Sequence, residues 1–230
     1  MTTFSKHMFL SLAVVVAAVM LSSCDNEEDV NFSVKATASG TFVDERDGFV
    51  YHYAQFGDTD WMLDNGHFNL KDATLCQMPT GPDEVSDRYL ARYGYCYTLT
   101  GAKEACPEGW RVPTDEDWKK LEQVYGMSAS EANSRGWRGN CAYAMRELST
   151  DSLTFGALMT GYYTTYTIMQ TPSFRLLGSF GFFWTSTPDE TKENEYFYRK
   201  LAYNKKEVWR ESTEDGHVML FVRYCRDAKK

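Results

Sequence analysis

One helix start governs what this chain can fold into. Thr114 is a good N-cap, and Asp115, Glu116 and Asp117 behind it complement the helix dipole. Trp118, Leu121, Val124 and Tyr125 then fall on one helical face. Elsewhere helix is scarce. Residues 100–106 form a short candidate stopped by Pro107 and Gly109, and residues 141–148 form another. The rest reads as short strands. Residues 41–43 and 49–53 make a hairpin around the turn dipeptide Asp47-Gly48, and residues 60–65 make another strand. Residues 69–90, with Pro79, Gly81 and Pro82, read as a long loop. Strand character returns at 93–98, 155–166, 180–186, 195–202 and 218–226. The expected class is α+β, with two helices packed on short, twisted antiparallel strands and long loops between them.

The N-terminus speaks of destination. Residues 8–21 read MFLSLAVVVAAVML, an apolar run of 14 residues behind Lys6. As a helix it would rise roughly 21 Å, short of a ~30 Å hydrocarbon core. A charged start, a short apolar run and small residues at its end describe a secretory signal. Leu21-Ser22-Ser23-Cys24 resembles the bacterial lipobox, which implies acylation of the Cys24 thiol. The expected layout is a signal peptide over 1–23, a lipidated Cys and acidic tether over 24–39, and one domain over 40–230. Asp25, Asn26, Glu27, Glu28 and Asp29 read as a solvated tether. They also resemble the address of Bacteroidetes-type lipoproteins flipped to the outer face. The expected location is the outer membrane, facing the cell exterior, with the membrane as a partner through the lipid.

Composition narrows the function classes. The net charge is −8, and −9 once Lys6 leaves with the signal, which argues against nucleic acid. Beyond Cys24, the cysteines are Cys76, Cys96, Cys106, Cys141 and Cys225. Thiols outside the cytoplasm tend to pair, and an odd number leaves one over. No CxxC spacing and no Cys beside a His suggests a metal site. His52, His67 and His217 are isolated, and no GxSxG, HExxH or phosphate loop occurs. Glu190, Glu193 and Glu195 lack EF-hand spacing. The expectation is no metal, no cofactor and no enzyme activity.

Several segments together resemble a known family. Asp47-Gly48, Tyr51, Tyr53, Trp61-Met62 and Asn65 resemble its opening pattern. Gly94-Tyr95, Tyr97 and the run ACPEGWRVPT from Ala105 to Thr114 resemble its central signature. Phe155-Gly156-Ala157-Leu158 with Gly161-Tyr162, then Phe183-Trp184-Thr185-Ser186-Thr187, then Val222-Arg223 near Cys225 follow in the family's order. This is the Fibrobacter succinogenes major paralogous domain family, often found on bacterial lipoproteins, and the likeness runs from about residue 40 to 227.

The resemblance implies a C-type lectin-like fold and a disulfide from Cys106 to Cys225. One departure bears on that pair: Tyr224 intervenes where the family has Cys directly after Arg, and one residue in a strand turns the side chain to the other face. Cys76 with Cys96 would bridge the long loop locally, leaving Cys141 over. The calcium-site motifs of lectins with this fold are absent. Formylglycine-generating enzymes share a distant version of it and supply an enzyme alternative. Trp110, Trp118 and the block from Trp184 read as scaffold. The expected function is a calcium-independent binding or adhesion module for a glycan or protein. Tyr162, Tyr163 and Tyr166 are its candidate contacts, on a loop face over residues 160–190. A structural subunit of a surface assembly is the other alternative.

Overall fold

Strands too short to bury a face alone are gathered into four small sheets. The structure is a computed structural model that describes residues 34, 36–80, 86–146, 153–165 and 173–229. Its elements are β1 (Ser39–Val43), β2 (Val50–Phe56), β3 (Thr59–Met62), β4 (Cys76–Gln77), α1 (Ser86–Tyr93), β5 (Cys96–Tyr97), α2 (Leu99–Glu104), α3 (Asp115–Val124) and α4 (Ala129–Asn133). There follow β6 (Gly136–Arg138), α5 (Ala142–Arg146), β7 (Tyr162–Thr164), β8 (Ser173–Arg175), β9 (Phe180–Pro188), β10 (Glu195–Ala202), β11 (Val208–Glu214), β12 (Val218–Met219) and β13 (Cys225–Asp227). The sheets run β1-β2-β3-β13, β6-β11-β10-β9, β12-β7-β8 and β4-β5, with every named pair antiparallel. The class is α+β.

The hairpin and the strand at 195–202 lie where the sequence puts them. The hairpin turn closes with the Gly48 amide donating to Asp44 O at 2.7 Å, and Gly48 takes φ 77°, a left-handed value that suits glycine. The expected loop at 69–90 instead holds β4 and the start of α1, and the strand expected over 155–166 shrinks to β7. At α3 the Thr114 hydroxyl accepts from the Asp117 amide while the Asp117 carboxylate accepts from the Thr114 amide, a complete capping box. Trp118, Leu121 and Tyr125 are buried as expected, whereas Val124 is exposed.

The closing segment stitches the sheets together. Leu220 exchanges backbone hydrogen bonds with Tyr97, Phe221 bonds to Phe182 and Trp184, and Cys225 exchanges bonds with Arg111. Both faces of this segment are buried, so alternate residues enter different cores. Met219, Phe221 and Cys225 join Trp61, Trp118, Phe155 and Phe183 in one core. Leu220, Val222 and Tyr224 join Tyr51, Tyr97, Trp110 and Trp184 in the other. Arg223 is buried and donates to Asn65 Oδ1 and to the carbonyls of Phe155 and Gly156.

The same alternation corrects the cysteine pairing. All five described cysteines are free thiols, so neither the Cys106–Cys225 nor the Cys76–Cys96 bridge is formed. Tyr224 turns to the side where Cys106 packs and donates its hydroxyl hydrogen to Ala102 O at 2.9 Å. Cys225 turns the other way and accepts from Arg111. In the β4-β5 ribbon Cys76 lies opposite Tyr97 and Cys96 opposite Gln77, so the two thiols point to opposite faces. Burial pushes the Cys106 and Cys141 thiols up to about 12 each, which makes them poor nucleophiles.

Polar groups fasten α3 to the inner face of the β6-β11-β10-β9 sheet. Asp115 and Glu122 face Arg138, Arg199 and Arg210, all five buried. Arg199 donates to Glu122 Oε1 and to Asp115 Oδ1, each at 2.7 Å. Arg210 binds Asp115 through two nitrogens, at 2.9 and 2.7 Å, and Arg138 binds Glu122 at 2.9 Å. Lys119 reaches Asp115 at 3.2 Å. Burial alone would raise the Asp115 carboxyl. The hydrogen bonds of Arg210 and the charge of Arg199 reverse that and hold it well below the usual carboxylate range.

Candidate functional site

The outer face of the same sheet is built from alternate residues of the same strands. On β10, Phe197, Arg199 and Leu201 point inward, so Tyr196, Tyr198 and Lys200 point outward. Register places Phe182 of β9 and Trp209 of β11 on either side of Lys200, and Trp137 of β6 beyond Trp209. The outer face is therefore aromatic, and Trp137, Trp209, Tyr196, Tyr198 and Lys200 are all half-buried.

The rings touch in sequence across the sheet. Trp137 and Trp209 meet edge to face with centroids 5.3 Å apart. Trp209 Nε1 donates to the Tyr198 hydroxyl at 3.2 Å. Tyr198 stacks on Phe182 at 6.2 Å, and Phe182 meets Tyr162 at 5.0 Å. The Lys200 ammonium lies 4.2 Å from the centroid of the Trp209 ring and 5.0 Å from that of Trp137. Burial lowers its pKa. Among the described residues it meets no carboxylate.

Where this face meets the β12-β7-β8 sheet there is a cleft of about 240 Å³. Tyr162, Leu176, Phe182, Tyr198, Thr213 and Val218 line it together with Leu220. Its walls are mainly apolar, with hydroxyl groups on Tyr162, Tyr198 and Thr213. Leu176 stands at its edge, 47 % exposed and with φ 60°. A left-handed backbone is costly for a branched residue, and such outliers gather at binding sites. Gly161, just before Tyr162, also takes a positive φ of 65°. A Cβ there would lie 2.2 Å from Arg175 O, so the approach of β7 to β8 requires glycine.

The residues expected at the site separate. Tyr162 lines the cleft. Tyr163 points away from it, packs on Phe174 at 5.2 Å and borders the first core. Tyr166 and Cys24 lie outside the described residues. The sequence reading missed Trp137, Tyr198, Lys200 and Trp209. Alternation along 195–202 was the available signal for Tyr198 and Lys200, while the two Trp sit on strands that the reading did not recognise. Among the described residues no group of three or more His, Cys, Asp or Glu is placed to hold a metal ion.

A second cleft of about 300 Å³ is lined by Arg46, Asp47, His67, Phe68, Asn69, Lys71 and Tyr95. Its charges are partly spent. Arg46 pairs with Asp44 and lies over the Phe68 ring, and His67 stacks on Phe49 with burial lowering its pKa.

No curated protein and no solved structure matches this chain. The sequence model of the Fibrobacter succinogenes major domain matches residues 55–226, a span that covers β3 to β12 whole and most of β13 and that includes the aromatic face and its cleft. The chain belongs to the Fibrobacter succinogenes major domain family.

Proposed function

We propose that this protein is a lipoprotein of the bacterial surface, held to the outer membrane by a lipid on Cys24, whose domain is a calcium-independent recognition module. The ligand lies along the outer face of the β6-β11-β10-β9 sheet and places one group in the cleft at Tyr162. We read the fold as C-type lectin-like. That reading is supported by α2 and α3 preceding a run of short antiparallel strands and by the return of the last strand to the sheet of the first three.

The observation that carries the binding reading is the difference in how the sheet's two faces are covered. The inner face is closed over by α3, while the outer one leaves Trp137, Trp209, Tyr198 and Tyr162 half-exposed. Aromatic side chains of this kind offer contact area at low entropy cost. At about 240 Å³ the cleft falls short of the roughly 300–1,000 Å³ of a site that encloses a whole small molecule. It therefore suits one ring-sized group of a longer ligand that continues across the face.

A glycan and host-protein array tests this, with the full chain applied in calcium and in chelator. The expected hit survives chelation and is lost in Tyr162→Ala and Tyr198→Ala, but is kept in Tyr163→Ala. A hit that ignores the first two variants would remove the face from consideration. Metabolic labelling with a palmitate analogue, lost in Cys24→Ala, tests the anchor. A lipid thioether there also leaves five titratable thiols in the unfolded chain rather than six.

A further inference from the structure

The Trp137–Trp209 end of the face has a feature that recognition of a neutral ligand would not require. The Lys200 ammonium sits over the Trp209 ring and lies 5.0 Å from the centroid of Trp137. The Lys205 ammonium lies 5.1 Å from the same Trp137 ring. Further along β10, the Lys103 ammonium lies 5.0 Å from the Tyr196 ring. Each cation is laid on an aromatic surface, and none of the three meets a carboxylate among the described residues. Glu211, an outward carboxylate on β11, is taken up by Arg135 and Lys192. These ammonium groups stand out on a chain whose net charge is −8.

We propose that this face binds an acidic polysaccharide, with sugar rings lying on the indole and phenol surfaces and carboxylates paired with Lys200 and Lys205. The inference rests on the binding face proposed above and names the ligand class for it. Apolar faces of sugar rings match flat aromatic side chains, and the hydroxyls of Tyr162, Tyr198 and Thr213 offer hydrogen bonds to sugar hydroxyls. A half-desolvated ammonium with no internal partner gains more from an incoming carboxylate than a fully hydrated one does. Ammonium groups repeated along the face suit a polymer with repeated charges. An acidic peptide strand fits less well. Strand addition uses an open sheet edge, whereas β10 and β11 are interior strands whose backbone groups are already paired. A nucleic acid would need the clustered basic surface that this chain lacks.

The test is isothermal titration of the full chain with polygalacturonate, with its fully methyl-esterified form and with polyglutamate. Polygalacturonate is expected to bind about tenfold more tightly than the ester, the factor that one charge-assisted contact supplies. That preference should disappear in the double variant Lys200→Met, Lys205→Met, which keeps the apolar stems, and shrink at about 0.5 M salt. Trp209→Ala should lose both uronate polymers. Equal binding of the acid and the ester would overturn the acidic specificity while leaving the face reading standing. Polyglutamate bound as tightly as polygalacturonate would overturn the glycan class. Polygalacturonate binding that survives Trp209→Ala and Tyr198→Ala would overturn the face itself. Absence of binding to either uronate polymer would overturn this inference alone, because the array decides the face independently.

Discussion

The two faces of the β6-β11-β10-β9 sheet treat positive charge in opposite ways. Arg199 and Lys200 are adjacent on β10 and point to opposite sides. Arg199 is fully buried and reaches two carboxylates, Asp115 and Glu122. Lys200 is half-buried and meets only rings. On the inside, desolvated cations are tolerated because every guanidinium has a carboxylate or a carbonyl to bind. On the outside, a cation held by rings alone retains most of its capacity to pair. The difference marks the inner charges as structure and the outer ones as available for a ligand.

The strongest way to break this comparison is to remove the inner counter-charge. Glu122 is fully buried and shared by Arg138 and Arg199. Glu122→Gln should cost about 3–5 kcal/mol in chemical denaturation, because two buried guanidiniums lose their shared anion. A cost below about 1 kcal/mol would mean that water reaches the network and that the two faces do not differ in kind.

Acid is a second route. Asp115 has its pKa lowered in the folded state, so its contribution is fully present above the unfolded value of about 3.9 and is lost as pH falls below that. Asp115→Asn should cost roughly 2–3 kcal/mol at neutral pH. Its deficit against the parent should narrow once the pH drops under about 4, read from denaturation midpoints across the acid range. A deficit that stays constant with pH would assign the loss to packing rather than to charge.

How much of this arrangement the sequence disclosed follows the reach of each interaction. The capping box at Thr114 spans three residues and was legible, as were the Asp47-Gly48 hairpin and the strand at 195–202. The network was not. Asp115 reads locally as a dipole partner for its own helix, yet its main ligands are Arg199 and Arg210, which only the folded sheet brings near. The same long-range pairing hid β11. Its inward residues Val208, Arg210 and Ser212 include two polar ones, so the hydrophobic alternation that announces a strand is missing. With β11 and β6 unseen, Trp209 and Trp137 could not be placed on a face. Tyr162 was legible because it follows Gly161, but its separation from Tyr163 depends on pairing with β8. The cysteine expectation failed for a local reason that the sequence did contain: Tyr224 shifts the alternation by one.

A gentler probe works at the outer face. Trp209→Ala removes a half-buried ring that touches Trp137, Tyr198 and Lys200. It should cost about 1–2 kcal/mol of stability while abolishing ligand capture. Thermal denaturation alongside the binding assay separates the two effects. A loss of 4 kcal/mol or more, on the scale of a buried Trp removed from a core, would mean that this face is core rather than site.

The smallest effect is the sharpest discriminator. Lys200→Met keeps the stem packed across the sheet and removes only the ammonium. Since rings alone hold that ammonium, the stability lost should stay under about 1 kcal/mol, the worth of an exposed cation–π contact. Relief of the burial that lowers the Lys200 pKa offsets part of even that loss. The matching change on the inner face, Arg199→Met, strands Asp115 and Glu122 with fewer cations and should cost several times more, about 3 kcal/mol or above. Denaturation curves of the two single variants, measured side by side at neutral pH, give the comparison in one experiment. A ratio near one would place both cations in the scaffold. A large ratio, with ligand affinity falling only in Lys200→Met, would assign the charge on one side of β10 to folding and the charge on the other side to recognition.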